Sequence, residues 1–489
     1  MYGSLTAVLF KKIKIMAEGG KGYNESDSGS VQRQFSTVSF HSTFQCENTS
    51  EELFRLMNCL GYGPEIIKAR RDIYKQHEML YNAGLYEQYG ATSIISGSKG
   101  EGLSFFLESD TDLVYILPDV MCLEDGIQHV NLSSETTVLR LHTRMSYPGH
   151  CRLLKERCGW ILPALANSFC DDGYGRTIVS SDLFIHECKK KSRGIGVSKN
   201  RAGPSLPNVF FGILDRDMVY SLRCHCPSIL QRWAERSRHW PSPSVVQNVV
   251  SMGACVTPVG FKESEYSHVE WRICFNTGEK ELVFNLNDVQ VKLYILLKMV
   301  KKDVLKPRNK EITSYTLKNI ILWQAEKNLQ SLFNERSLLH WLNKALCDLR
   351  TAINTQQLPY YMIPERNLMA ASGLVSERQS EFVAKLTDMI NEGPRVILRL
   401  QKLRKAIVAH PEPLLWYSRK RIELELVWLL SSLSYQLSKR PGATHVSDLI
   451  KLVTFQRLNE IVGKVDQRMI MEGSRVDDIH YDVWFRMLM

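Results

Sequence analysis

The chain lacks any run apolar and long enough to cross a bilayer. Its most apolar later stretch, LELVWLLSSLSYQL from Leu424, contains Glu425 and falls short of the ~20 residues a membrane helix needs. It reads instead as a buried helix. The opening MYGSLTAVLFKKIKIMAEGG has an apolar run broken by lysines and no small-residue cleavage site, so a secretory leader is not expected. Twelve cysteines in 489 residues are too dilute for a disulfide scaffold. No repeat of fixed period is present, which excludes solenoids and propellers. These absences leave a reduced, soluble, intracellular protein, with a cytoplasmic location expected and no membrane partner.

What remains is globular in composition, with 44% hydrophobic, 23% charged and 9% aromatic residues. The length suits two or three domains. A formal net charge of +10, from 62 Lys and Arg against 52 Asp and Glu, permits an anionic partner without requiring one.

Residues 1–45 are Gly-, Ser- and polar-rich and read as a flexible tail. Leu53, Leu56, Leu60, Ile66, Ile67 and Ile73 recur at helical spacing, with GYG at 61–63 as a break. LSFFL (103–107) and TDLVYIL (111–117) read as strands, the second ended by Pro118. SDLFIHE, DMVYSL and VEWRICF also read as strands. From 285 the pattern is helical, through VQVKLYILLKMVKK, SYTLKNIILWQAE and SLLHWLNKALCDLR. The expectation is an α+β chain: a core over 46–282 with an N-terminal spine helix, a helical lobe over 283–370, and a helical extension over 371–489.

Chemistry concentrates at GSKGEGLSFFLESDTD, residues 97–112. In a strand, residues i and i+2 face the same way, so Asp110 and Asp112 project together, their Cα atoms roughly 7 Å apart. Two carboxylates beside an apolar run repel and are costly to bury. A divalent cation resolves the conflict, and two such ions can clamp the attacking and leaving oxygens of a phosphoryl transfer. The plain alternative is an exposed strand start with hydrated aspartates. Three features favour the site. Gly97-Ser98 offers a turn that can approach a phosphate. Its distance from the acids suits a hairpin. Asp217, at the head of DMVYSL, supplies a third carboxylate, which could assist deprotonation of an attacking hydroxyl; Asp215 is a rival for that place. The glycines flanking Glu101 suggest that Lys99 to Gly102 are loose without ligand and ordered with it.

The order GS, DTD, DMVYSL, TPVGFKESEYSHVEWRICF, SYTLK and YYMIPERNL resembles the cyclic GMP-AMP synthase-like receptors of the Mab-twenty-one-like nucleotidyltransferase family, over about 50–370. The resemblance implies a bilobed nucleotidyltransferase fold, a mixed sheet facing a helical lobe. It implies that Ser98 holds a triphosphate, and that Asp110, Asp112 and Asp217 bind two Mg²⁺ or Mn²⁺ ions. Arg272, Lys298 and Ser314 would contact nucleotide, and Tyr315 would stack on a base. Each has a structural alternative: Arg272 as the salt-bridge partner of Glu270, Lys298 as a solvated helix face, Tyr315 as core. Where the vertebrate enzyme has Ser, this chain has Cys274. The vertebrate zinc insertion is absent: EKELVFNLNDVQVKLYILLK runs through without Cys or His, and Cys224-His225-Cys226 is spaced too tightly for a usual zinc site. No zinc is expected, and double-stranded RNA becomes the expected activator.

Two basic stretches are candidate nucleic-acid contacts: Lys189, Lys190, Lys191 and Arg193 with Lys199 and Arg201, and Lys301 and Lys302 within KKDVLKPRNK. The resulting expectation is an innate-immune-type enzyme making a cyclic dinucleotide such as cyclic GMP-AMP from ATP and GTP, with pyrophosphate released and oligomerisation on ligand possible. The alternatives are a catalytically inactive family member acting as a binding or developmental protein, and a linear template-free nucleotidyltransferase.

Overall fold

The computed structural model describes residues 43–106, 108–128, 131–192, 205–210, 214–308, 311–410, 412, 414–438 and 444–474. Two compact units divide the chain. Residues up to His77 join those from Lys402 onward in one, and Glu78–Gln401 form the other.

The Glu78–Gln401 unit is built on a ten-stranded mixed sheet: β1 (Thr92–Ser96), β2 (Thr111–Leu123), β3 (Thr137–His142), β4 (His150–Arg157), β5 (Phe169–Asp171), β6 (Thr177–Val179), β7 (Leu206–Phe210), β8 (Leu214–His225), β9 (Ala254–Thr257) and β10 (Glu270–Cys274). At its centre β2 and β8 run parallel, Asp112 opposite Asp217 and Cys122 opposite Cys224. The outer edge of β2 pairs first with β1, antiparallel, and then with β3, parallel. The outer edge of β8 pairs with β7 and then with β9. β4 and β10 link β3 to β9. Strand β2 does not end at Pro118 as expected from the sequence. Its register breaks between Ile116 and Met121, with Asp119 at φ 55°, so the proline falls where the strand changes neighbours and no ladder donor is required of it.

Two other strand assignments are corrected. SDLFIHE lies in helix Ser181–Ser192. Phe184, Ile185 and Cys188 are buried while Leu183 is exposed, a helical spacing rather than an alternation. Ser180 accepts the Leu183 N–H at 3.3 Å, and Phe184 packs on Trp271. Residues 103–106 form a buried irregular turn: Leu103, Phe105 and Phe106 all point inward, and the Leu103 N–H returns to the Ser98 carbonyl at 2.8 Å.

Helices follow the sheet. Asn276–Phe284 and Asp288–Val300 are separated by three residues, and the second starts from a reciprocal cap between Asn287 and Gln290. Ser314–Lys327 starts from a similar cap at Thr313, and Leu338–Thr355 and Ser376–Asn391 complete the series.

In the other unit, helix Thr43–Met57 runs into a break at Gly61 (φ 84°), and helix Pro64–Tyr89 begins beyond it. The stretch from Leu424 lies in helix Leu414–Leu437, with Leu424, Leu426, Val427, Leu429 and Leu430 buried. Among the described residues no helix is long and apolar enough to cross a membrane. Glu425, the charge inside that run, is fully buried and receives Nε and Nη2 of Arg70, which is equally buried. Arg70 also donates to the Gly61 carbonyl at 2.8 Å, so the pair ties the helix break to the hydrophobic helix.

Removing one partner of a buried ion pair strands the other charge. Glu425→Ala is expected to cost about 3 kcal/mol and to lower the urea midpoint of unfolding. The double change Arg70→Met with Glu425→Leu should recover most of that loss. Equal midpoints for single and double variants would refute this account.

Candidate active site

The central strand pair fixes the acids. Neighbouring strands lie ~4.8 Å apart, so the register sets the Asp112 and Asp217 side chains next to one another on one face. Both are half-buried; Asp110, just ahead of β2, is exposed. Burial, then the charges of Asp217, Asp110 and Glu101, push the Asp112 carboxyl up to about 6, with Lys318 opposing. Among the described residues no three of His, Cys, Asp and Glu are gathered into a ready-made metal cage.

The Gly97-Ser98 turn is part of the same place. Ser96 pairs with Asp112 across β1 and β2, and a single helical turn, Gly97–Gly100, follows. Gly97 sits at φ +64°, and a Cβ there would lie 1.9 Å from Asp112 Oδ2. Only glycine satisfies both conditions. Ser98 Oγ accepts a 2.6 Å hydrogen bond from Lys298 Nζ. Burial brings the Lys298 amine down to about 8, against the upward pull of Glu101 and Glu108. The expectation of a loose Lys99–Gly102 segment is not what the structure has. Lys99 is buried and donates to Thr111 Oγ1 at 3.1 Å, and buried Glu101 pairs with Lys318 at 2.5 Å.

Lys318 organises the next layer. Its ammonium lies 2.5 Å from Glu101 and 3.7 Å from Glu279, and the charge of Glu101 leads the effects that hold it well above the usual lysine range despite burial. Glu279 Oε1 accepts the hydroxyls of Tyr315 at 2.7 Å and Tyr360 at 2.6 Å. Tyr315 is therefore half-buried and tethered by its hydroxyl, its ring 5.7 Å from that of Tyr360. Ser314 accepts from Lys301 at 3.0 Å. Arg272, on β10, makes no ion pair among the described residues. Glu270, the alternative partner, is taken by the Phe261 N–H and the Ser264 hydroxyl.

The structure thus brings Ser98, Asp112, Asp217 and Lys298 together, with Ser314 and Tyr315 on the helix that carries Lys318. Of the basic stretches, Lys190 is exposed and paired with Glu187, Lys189 is half-buried, and Lys302 is exposed. Arg193, Lys199, Arg201 and the side chain of Lys191 lie outside the described residues. Sequence reasoning missed Glu101, Glu279, Lys318 and Tyr360 as working parts. Lys318, three residues after Tyr315 on one helix face, was the available signal.

Two family models match the chain side by side. The Mab-21 protein nucleotidyltransferase domain covers residues 140–285, and the Mab-21 protein HhH/H2TH-like domain covers 290–388, together about half the chain. The chain belongs to the Mab-21 family. Asp217 and Arg272 fall within the first matched segment of this Mab-21 protein, and Lys298, Ser314 and Tyr315 within the second. Ser98, Asp110 and Asp112 precede both. A cyclic GMP-AMP synthase-like receptor of Aethina tumida is 29% identical over 169 residues, covering 33% of this chain and 41% of the relative. A second receptor of that name, from Ctenocephalides felis, is 22% identical over 219 residues, covering 42% of this chain and 48% of the relative. The chain spans less than half the length of these curated relatives. Family, sheet and helices together give an α+β nucleotidyltransferase fold.

A carboxyl whose pKa is higher folded than unfolded binds more protons in the native state, so stability falls as pH rises between about 4 and 6. Above that window Asp112 opposes folding by on the order of 3 kcal/mol. Asp217→Asn removes the neighbouring charge with the largest effect on Asp112 and should lower the Asp112 pKa, measured by carboxyl NMR titration. An unchanged titration would mean the two carboxylates do not interact.

Proposed function

We propose that this Mab-21 protein, on binding double-stranded RNA, joins ATP and GTP into a cyclic dinucleotide such as cyclic GMP-AMP, releasing pyrophosphate. The observation carrying the reading is the parallel pairing that sets Asp112 beside Asp217, next to a serine turn held by a lysine from the second matched domain.

The acidic oxygen donors fit a hard divalent cation such as Mg²⁺ or Mn²⁺, because Asp112 is buried against like charge with only Lys318 to offset it. Asp112 and Asp217 would hold the metal, with Asp110 joining from the strand head. Bound there, it supplies positive charge that neutralises the carboxylates and polarises phosphate oxygens.

The chain's own groups supply the rest. Ser98 and Lys298 donate to the triphosphate, and the Glu101–Lys318 pair keeps the Gly97–Ser98 turn seated against β2. Tyr315 presents a ring fixed by Glu279 to a base. A 2′- or 3′-hydroxyl attacks the α-phosphorus: the new P–O bond forms, the bond to pyrophosphate breaks, and Asp217 takes the hydroxyl proton. Positioning and charge carry the acceleration. The RNA partner rests on the link of Asn285–Asn287 between the two helices, which carries no zinc-binding insertion, and the cyclic GMP-AMP product on the names of the matched receptors.

Purified protein incubated with the four nucleoside triphosphates, Mg²⁺ or Mn²⁺, and duplex RNA or DNA should give a cyclic product with RNA. Asp112→Asn with Asp217→Asn should lower the rate at least about a hundredfold. A linear product would indicate a template-free polymerising enzyme, and none under any condition a binding protein. Mg²⁺ should also raise the melting temperature more at pH 8 than at pH 5, where Asp112 is protonated. Equal shifts at both values would exclude Asp112 as a ligand.

A further inference from the structure

Lys318, in the site, and Arg236, which stacks on Tyr361, both face carboxylates. Arg272 and Arg366 do not: among the described residues neither guanidinium makes an ion pair. They nevertheless share a neighbourhood. Arg272 is the register partner of His150 across β10 and β4; its side chain hydrogen-bonds that of Cys274, and the Tyr315 and Tyr360 hydroxyls act on it, with no carboxylate among these. Arg366 reaches the same wall from the turn that closes where Pro359 bridges Asn367. That turn is fastened by the Tyr147 hydroxyl, which meets both the N–H and the carbonyl of Asn367. The Arg366 stem lies flat on Gly149, where a Cβ would approach its Cδ to 2.8 Å, and its guanidinium stands 5.1 Å from the Tyr360 ring centre. His150, buried beneath, registers the local field: burial, then Arg366 and Arg272, hold its imidazole down at about 3. Half-buried guanidinium groups without carboxylate partners, on a rigid aromatic wall, are poised for an anion from outside the chain.

We infer that Arg366, together with Arg272, forms an anion-binding subsite that takes a phosphate group of the second nucleotide. Naming the nucleotide rests on the function proposed above; the anion subsite does not. Arginine suits this task because its planar fork meets two phosphate oxygens at once. Arg366 borders the Tyr315 and Tyr360 rings, whose hydroxyls Glu279 holds, whereas Ser98 and Lys298 are tied to each other, so the arginines would act on a different phosphate from that pair.

Inorganic tripolyphosphate, titrated calorimetrically into the full chain in EDTA, is the test. Without metal the aspartates repel the anion beside Ser98 and Lys298, which weakens that end and makes the arginines the stronger hold. Arg366→Met should weaken binding at least about tenfold, and Arg366→Lys, which keeps the charge but loses the fork, by a smaller factor of about threefold or more. Guanosine, which lacks phosphate but offers acceptor atoms an arginine can also pair with, should bind both variants like wild type. Thermal melts of both variants check folding. Unchanged tripolyphosphate affinity in Arg366→Met overturns the subsite, as does a loss confined to guanosine. If Arg366→Met loses the anion while the wild type forms no dinucleotide, the subsite stands and the proposed reaction falls.

Discussion

The parallel pairing of β2 with β8 places two half-buried carboxylates next to each other, and much of the surrounding structure answers to that repulsion. β1 contributes Gly97, the one residue type that can lie against Asp112 Oδ2 with a positive φ. β2 then crosses from one neighbour to another at Pro118 and Asp119, so that its first half faces the site and its second half anchors the sheet. Burying like charge costs stability. On the function proposed above, a cation would offset that cost.

Within the chain itself, Lys318 is the counterweight. It touches Glu101 in the serine turn and stands close to Glu279, and Glu279 in turn holds the hydroxyls of Tyr315 and Tyr360. One buried ammonium therefore connects the turn ahead of β2, the helix after β10 and the aromatic wall. Each acidic member of this network is buried with partners, as low-dielectric surroundings require.

The sequence disclosed the chemistry more readily than the geometry. Asp110, Asp112, Asp217 and Ser98 could be picked out because the acids sit beside apolar strand patterns. The long helices after 285 could be read because their periodicity is strong. SDLFIHE misled because three apolar residues within a short span satisfy either period until burial decides. LSFFL misled because a turn packed on all sides is as apolar as a strand. Glu101, Glu279, Lys318 and Arg366 were illegible for a different reason. Their roles come from partners 36 or more residues away, or, for Arg366, from the absence of one, and no local pattern carries that information.

The hydrogen bond from Lys298 to Ser98 has a consequence for proton balance. With its amine brought down to about 8, Lys298 is incompletely charged in mildly alkaline solution. A triphosphate settling beside Ser98 would favour the ammonium and draw a proton from the solvent. Ligand capture and proton uptake are then one event, and the heat of binding would depend on the ionisation enthalpy of the buffer chosen to measure it.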